Sequence, residues 1–307
     1  MDERKALDTK ASSLMIVLCM IWGLQQVILK MAAPDISPLM QIALRSGLAA
    51  ILLLPLLYFD KASQLLNLQN LKAGALVAFL FSLEFFLLAQ ALQFTSASHA
   101  VVLLYTAPIF VALGLHWKLP SERLSVLQWS GIAIAFFGIV VTFIRAKPNA
   151  SSMIEQHMLW GDLLALAAAI AWAATTITVR LSSLAQAAVT QTLFYQLSGS
   201  FVLLFGLAIF MGQANINFTP LVLGSLAFHT LVVSFASFLA WFWLLRNYLA
   251  SRLGVFSFLT PLFGMAFGMW LLDEKVELNF IMGTALVLMG ILVVSLQGWL
   301  SNKKNLV

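Results

Sequence analysis

Residues 12–31 read SSLMIVLCMIWGLQQVILKM, a stretch of twenty residues in which Lys30 carries the only charge. A helix rises 1.5 Å per residue, so this stretch spans about 30 Å, the thickness of the hydrocarbon core of a membrane. It is longer than the apolar segment of a signal peptide and lacks a small-residue cleavage pattern. The sequence therefore predicts a retained first transmembrane helix.

Nine further apolar stretches of similar length follow, separated by short polar or charged breaks. They cover residues 39–59, 71–92, 98–117, 125–145, 158–179, 188–211, 219–245, 252–272 and 279–299. The longest break falls midway along the chain, around Pro148 and Asn149. Because each stretch is long enough for one crossing, the sequence predicts an all-α polytopic membrane protein with ten transmembrane helices in two groups of five.

The composition excludes a soluble domain. The 307 residues are 62% hydrophobic and only 9% charged, which is too little charge to cover the surface of a soluble protein. The net charge of +5 is spread between the apolar stretches rather than gathered on one face, so no nucleic-acid partner is expected. Cys19 is the only cysteine, which excludes an intrachain disulfide and a cysteine-based metal site.

The charges between the apolar stretches predict the orientation in the membrane. If the N-terminus is cytoplasmic, twelve of the 17 lysines and arginines fall on the cytoplasmic side, four fall on the opposite side, and Arg45 lies within a span. This bias predicts that both termini are cytoplasmic.

The two halves of the chain carry the same residues in the same order. The matching pairs are Trp22 and Trp172, Pro108 and Pro261, Gly131 and Gly283, and Gly138 and Gly290, at offsets of 150 to 153 residues. Because five is an odd number, the second group of spans must be inverted relative to the first. Inverted repeats are the ground plan of secondary transporters, whose substrate site lies near the middle of the bilayer between the halves.

Several motifs resemble the EamA domain. The first copy is matched by Ile21-Trp22-Gly23, Arg45 at the start of span two, Ala107-Pro108 and Ser121-Glu122-Arg123-Leu124, and the second by Thr260-Pro261 and Leu272-Asp273-Glu274-Lys275. The chain is thus identified as a ten-helix EamA-type member of the drug/metabolite transporter superfamily. The expected units are a first repeat at 1–146, a linker at 147–157, a second repeat at 158–300 and a cytoplasmic tail at 301–307.

This resemblance implies a central cavity lined by spans one to four and six to nine, with spans five and ten packed outside it. It also implies residence in the inner membrane and efflux of amino acids, metabolites or drugs.

Polar residues inside the spans indicate where a substrate site lies, since a charge at bilayer depth costs ~3 kcal/mol and faces protein or water. By helical rise, Arg45 lies about 10 Å and Glu84 about 12 Å from the outer ends of their spans. Trp22, Gln26 and Tyr105 lie at a similar depth, and the repeat adds positions towards the cytoplasm. The candidate substrate-binding residues are Trp22, Gln26, Arg45, Glu84, Tyr105, Trp172, Thr176, Gln196 and Ser237.

Each charged candidate has two possible roles. Arg45 can bind a carboxylate and Glu84 can bind an amine or carry a coupling proton, or the two can form a structural salt bridge. His229 is a second candidate for proton coupling, although a structural histidine with satisfied hydrogen bonds is the alternative. Pro108 and Pro261 remove backbone hydrogen bonds and are predicted to kink their helices as gating pivots.

These features predict a secondary active transporter that exports amino acids or related small amphipathic metabolites by alternating access. The alternatives are an exporter of multiple drugs or cationic compounds, and a lipid flippase. No enzyme or P-loop motif occurs and no ring of like charges indicates a channel. No cofactor and no metal are expected; the expected partners are a small-molecule substrate and membrane lipids, in a monomer or weak dimer.

Overall fold

The computed structural model describes residues 8–59, 68–118, 124–143, 153–248, 257 and 259–304. These residues form helices joined by short turns, with one isolated antiparallel bridge between Ile36 and Ile216. The α-helices are α1 (Thr9–Met31), α2 (Pro38–Phe59), α3 (Leu68–Phe94), α4 (Ala97–Leu104), α5 (Ala107–Lys118), α6 (Val126–Phe143), α7 (Met153–Leu181), α8 (Val189–Phe210), α9 (Pro220–Ala227), α10 (Phe238–Asn247), α11 (Leu259–Leu271) and α12 (Leu278–Lys304). A 3₁₀-helix at Ser183–Ala185 and a π-helix at Phe228–Ser237 complete the described elements.

Seven helical segments of the described chain are long and apolar enough to cross a membrane. They are Thr9–Met31, Pro38–Tyr58, Gln69–Phe94, Ala97–Lys118, His157–Leu181, Val189–Phe210 and Pro220–Trp241. Three shorter apolar helices cover Val126–Val141, Leu259–Leu271 and Leu278–Val293. The chain is thus an all-helical, multi-pass membrane protein.

Two of the predicted spans are interrupted. In span four, α4 ends at Leu104, a turn at Tyr105 and Thr106 follows, and α5 begins at Ala107. Pro108 is the second residue of α5, where the missing N–H of proline is tolerated because the first turn of a helix has no internal acceptor for it. In span eight, the ten-residue π-helix separates α9 from α10. A π-helix is rare and widens the helix locally, often at a functional site.

The ends of the bundle are distinguished by helix α1. We call the end at which α1 begins the proximal end, and the end at which it finishes the distal end. At the proximal end, the Asp8 carboxylate caps α1 by accepting a hydrogen bond from the Ala11 N–H at 2.8 Å, and it accepts another from the Tyr248 hydroxyl at 2.9 Å. These hydrogen bonds favour the charged carboxylate and lower the pKa of Asp8.

Helices α6 and α12 pack against each other and form an apolar cluster separate from the main core. The cluster contains Ile132, Ala135, Ile139, Val287 and Ile291. The helices approach closely because glycines face each other at the contact: a Cβ atom added to Gly138 would lie 2.7 Å from the carbonyl oxygen of Gly283. Small residues at such spacing allow tight packing of helices in membranes.

Replacing Gly138 with alanine is therefore expected to lower the free energy of unfolding by about 1–3 kcal/mol, because the added methyl group forces the two backbones apart. Thermal unfolding of the purified protein in detergent measures this change. Gly206→Ala is the matched control, since Gly206 is exposed on α8 and an added Cβ meets nothing within 4 Å. Equal melting temperatures for the two variants would contradict the close packing of α6 on α12.

Candidate substrate site

Arg45 lies in the first half of α2 and its side chain is only 2% exposed. One terminal nitrogen, Nη1, donates a hydrogen bond to Gln25 Oε1 at 3.2 Å, and the guanidinium carbon lies 4.6 Å from the centroid of the Phe85 ring. A second nitrogen of the side chain, Nε, has no hydrogen-bond partner among the described residues. Arg45 is thus a buried cation held by one amide and one aromatic face, with a donor left over.

Glu84 lies on α3 beside Phe85 and is 5% exposed. Its Oε2 atom has no hydrogen-bond partner within the described chain. Glu84 and Arg45 interact electrostatically, but the described residues include no direct salt bridge between them. The direct structural bridge considered from the sequence is therefore not formed in this structure, and both charged groups keep free hydrogen-bonding capacity.

Further polar atoms without partners lie on the helices around α1. Gln26 on α1 is fully buried, and neither atom of its side-chain amide has a partner in the described chain. The hydroxyls of Thr230 and Ser234 on the π-helix also have no hydrogen-bond partner among the described residues. Buried polar atoms are nearly always hydrogen-bonded in proteins, so such a concentration indicates a place where a ligand supplies the missing partners.

Aromatic side chains flank these polar groups. Trp22 Nε1 donates a hydrogen bond to Ser237 Oγ at 3.0 Å, and the Trp22 ring meets Trp241 edge to face at 5.6 Å between centroids. Tyr105 and Trp172 form a second edge-to-face pair at 5.3 Å. Both pairs join a residue of the first half to one of the second half, and their faces suit the apolar part of a small ligand.

Thr176 and Gln196 lie at less buried positions than Gln26, Arg45 and Glu84. Thr176 is exposed, and its hydroxyl donates to the Trp172 carbonyl of its own helix at 3.1 Å. Its neighbour Thr175 is the buried one, at 3% exposure. Gln196 is half-buried on α8, between the buried Tyr195 and Leu197.

Conversely, three contacting residues were not among the predicted set. Gln25 and Phe85 hold the Arg45 guanidinium, and Trp241 packs on Trp22. Gln25 is the neighbour of Gln26 and Phe85 is the neighbour of Glu84, and this adjacency is the only feature of the sequence that indicates them. Pro108 lies in the first turn of α5, and Pro261 lies in the first turn of α11.

His229 lies on the π-helix and is fully buried. Its Nδ1 atom is 2.8 Å from the Ser225 carbonyl oxygen and 3.2 Å from the Ser225 hydroxyl, and its Nε2 atom is 3.1 Å from the Gln25 carbonyl oxygen. The ring therefore contacts the same residue of α1 whose side chain binds Arg45.

At the distal end, a group of polar contacts joins helices that are far apart in sequence. The Glu274 carboxylate accepts hydrogen bonds from the N–H groups of Ala97 and Ser98, at 2.6 and 2.9 Å, and from the Ser98 hydroxyl at 2.6 Å. Beside it, Asp162 accepts from the Thr95 hydroxyl at 2.5 Å and lies 3.0 Å from His99 Nδ1. We call these six residues the distal clasp. A carboxylate at the first turn of α4 also interacts favourably with the helix dipole.

At the distal end, hydrogen bonds also join the loop after α1 to the loop after α8. The Asp35 carboxylate accepts hydrogen bonds from Asn217 Nδ2 at 2.8 Å and from the Thr219 hydroxyl at 3.2 Å. The Ser37 hydroxyl donates to the Gln213 carbonyl at 2.9 Å. With the distal clasp, these contacts close this end of the bundle over the buried polar groups.

Comparison with known proteins gives matches along the whole chain. A family model described as the EamA-like transporter family matches residues 9–144 and 159–296. A Bacillus subtilis (strain 168) protein named "Uncharacterized transporter YoaV" is 28% identical over 277 residues, which cover 90% of this chain and 93% of that protein. An Escherichia coli (strain K12) protein named "Probable amino-acid metabolite efflux pump" is 27% identical over 299 residues, with coverage of 94% and 95%.

One solved crystal structure shares 16% identity with this chain and superposes with a TM-score of 0.66, covering 95% of this chain and 98% of its own. At that identity the likeness shows a shared fold. The family match covers both halves, and the resemblance drawn from the sequence motifs is confirmed. The chain belongs to the EamA-like transporter family.

Proposed function

We propose that this protein is a secondary active transporter that exports amino acids or related small amphipathic metabolites across the inner membrane by alternating access. The observation that carries the proposal is the pair of buried, opposite charges with unused hydrogen-bonding atoms, Arg45 Nε and Glu84 Oε2. A zwitterion offers a carboxylate to the guanidinium and an ammonium to the carboxylate, and both contacts are charge-assisted hydrogen bonds. A polyanion would need several cations, which the described site does not contain.

The aromatic pairs favour a substrate with an apolar part. Trp22 with Trp241 and Tyr105 with Trp172 offer ring faces beside the polar groups. The name of the Escherichia coli relative, an amino-acid metabolite efflux pump, supports both the substrate class and the direction. The bias of loop charges supports cytoplasmic termini, which places the distal end on the outer side of the membrane.

In the proposed architecture, ten spans form two inverted groups of five at 1–146 and 158–300, joined by the linker 147–157 and followed by the tail 301–307. The contacts between helices support it, because each contact between halves recurs when the halves are exchanged. The contact of α1 with α11 is equivalent to the contacts of α7 with α4 and α5, and the contact of α2 with the π-helix is equivalent to that of α8 with α3. The contacts of α6 with α12 and of α2 with α8 each join equivalent helices of the two halves, so exchanging the halves leaves them unchanged. Pro108 and Pro261, equivalent in the two groups, are the proposed pivots.

Export of cationic drugs is the second candidate, and the aromatic pairs favour it. A flat cation can stack on Trp22 or Trp172 and reach Glu84 without using Arg45. The two candidates therefore differ in whether binding depends on the guanidinium.

A thermal-shift screen separates these candidates. The purified protein is tested with amino acids, polyamines and cationic drugs, and the screen is repeated on Arg45→Ala. We expect apolar amino acids to stabilise the wild-type protein and to have no effect on the variant. Stabilisation by cationic drugs alone, unchanged in Arg45→Ala, would replace the amino-acid proposal with the drug exporter.

Glu84→Gln is expected to weaken amino-acid binding by about 10- to 100-fold, because it removes the charged acceptor for the substrate ammonium. Binding of the carboxylic acid that lacks the amino group is expected to change little, since Arg45 holds that part. Titration of both ligands against the purified protein measures the difference.

Glu277→Gln is the matched control for this variant, as Glu277 is exposed in the loop before α12. An equal loss of affinity for the amino acid and for its deaminated analogue would contradict the assignment of Glu84 to the amine.

A further inference from the structure

The hydrogen bonds around His229 fix which atoms of its surroundings donate and which accept. The starting point is Gln41 on α2, whose Nε2 atom donates to the backbone oxygens of Leu29 at 3.2 Å and Ile36 at 3.4 Å. The Oε1 atom of the same amide therefore faces Ser225, and it accepts the Ser225 hydroxyl proton at 2.5 Å. The Ser225 hydroxyl donates its single hydrogen to Gln41 Oε1 and therefore offers only lone pairs to the imidazole.

Both ring nitrogens of His229 consequently face acceptors only. Nδ1 faces the carbonyl and hydroxyl oxygens of Ser225, and Nε2 faces the carbonyl oxygen of Gln25. A neutral imidazole has one N–H and would set a lone pair against a carbonyl oxygen on its other side, whereas the imidazolium has two N–H groups. The surroundings of the ring are those of a protonated histidine.

From this geometry we propose that His229 is a reversible proton-binding site of the transport cycle, occupied in the distally closed conformation. The inference rests on the proposed function and adds the coupling ion to it. Burial of the ring away from water and the Arg45 guanidinium both oppose a proton on the ring, whereas the carbonyl oxygens of Ser225 and Gln25 stabilise it. Opposed contributions of this kind allow a buried site to gain and lose its proton as the conformation changes.

The neighbouring elements supply few other charges. Helices α1, α2, α9 and α10 pack against the π-helix, and Arg45 is the charged side chain from their described residues that interacts with the ring. Glu84 on α3 interacts electrostatically with Arg45. Gln25 connects the proton site to the substrate site directly, because its side chain binds Arg45 and its carbonyl faces His229. A substrate that engages Arg45 and Glu84 changes the field at the ring, so proton and substrate binding are coupled.

Nitrogen-15 NMR of the imidazole rings tests the protonation state independently of transport. The chain has only four histidines, so the His229 signals are assigned by their loss in His229→Gln. We expect the imidazolium form of His229 at the acidic end of a titration from about pH 5 to 8 and the neutral form at the other end. A ring that remains neutral over the whole range would overturn the proposal.

Liposome assays test the role in transport. With equal pH on both sides, the exchange of labelled for unlabelled amino acid gives the baseline rate of each protein. With an imposed pH gradient, the wild type is expected to change its net flux at least fivefold, and the variant to show no response. A His229→Gln variant that responds like the wild type would overturn the proton site.

The NMR titration and the liposome assays distinguish failure of the His229 proton site from failure of the proposed transport function. Absence of amino-acid exchange in the wild-type protein itself would instead reject the proposed function. Melting temperatures of His229→Gln and His229→Asn show whether either variant is merely misfolded, and the assay uses whichever variant retains the wild-type value.

Discussion

Replacing Arg45 with alanine is expected to lower amino-acid exchange in liposomes by at least about 100-fold. The variant loses the charge-assisted contact to the substrate carboxylate, which contributes about 1.5–3 kcal/mol, and it removes the buried cation that interacts electrostatically with Glu84. Initial rates of exchange, corrected for the amount of reconstituted protein, measure the loss.

Two further variants make this prediction specific. Arg45→Lys keeps the charge but loses the planar group that binds Gln25 and lies on Phe85, so an intermediate rate is expected. Arg180→Ala is the matched control, because Arg180 is exposed in the last turn of α7. A rate for Arg45→Ala within threefold of that for Arg180→Ala would remove Arg45 from the substrate site.

Counting residues along a helix predicts the depth of a side chain in the membrane but not the direction in which it points. Counting 1.5 Å per residue placed Arg45, Glu84 and Gln26 at one level, and all three are buried. The same count cannot distinguish a residue from its neighbour, which lies about 100° further around the helix. Thr176, predicted from the repeat as the counterpart of Gln26, is the neighbour of the buried Thr175, and Gln25, which binds Arg45, is the neighbour of the predicted Gln26.

Irregular helices add a second kind of error. The π-helix at Phe228–Ser237 and the turn at Tyr105 and Thr106 both shift the rotational phase of the residues that follow. An apolar stretch of normal length gives no sign of a π-helix, because the extra residue per turn depends on packing with neighbouring helices. The acceptors around His229 come from α1 and from α9, so they could be found only once the tertiary contacts were known.

The distal clasp could not be predicted from the sequence, because its contacts join residues that are far apart along the chain. In the sequence, Glu274 stands out only as part of the motif Leu272-Asp273-Glu274-Lys275, and its contacts with Ala97 and Ser98 join positions that are 177 and 176 residues apart. Such positions meet because α4 and α11 pack together. A glycine at position 268 makes room for the contact, because an added Cβ would lie 2.5 Å from Glu274 Oε2.

Replacing Glu274 with alanine is expected to open the distal end. Three hydrogen bonds from the first turn of α4 converge on this carboxylate, at 2.6, 2.9 and 2.6 Å, and a hydrogen bond to a charged group contributes about 1.5–3 kcal/mol. Losing even one such contribution shifts the balance between closed and open forms by about 10- to 100-fold. In Cys19→Ala protein with Gln26→Cys, a membrane-impermeant thiol reagent added from outside is therefore expected to react about 10- to 100-fold faster when Glu274→Ala is present.

Glu277→Ala provides the matched control, because Glu277 is exposed in the same loop. Its labelling rate should equal that of the parent, since it makes no contact with α4 that would be lost. A surface pocket of about 330 Å³ at this end, lined in part by Lys30, Thr95 and Glu274, gives the reagent an approach to the clasp. Equal labelling in Glu274→Ala and Glu277→Ala, with unchanged melting temperatures, would mean that the clasp does not control access and that the loop contacts of Asp35 close the distal end on their own.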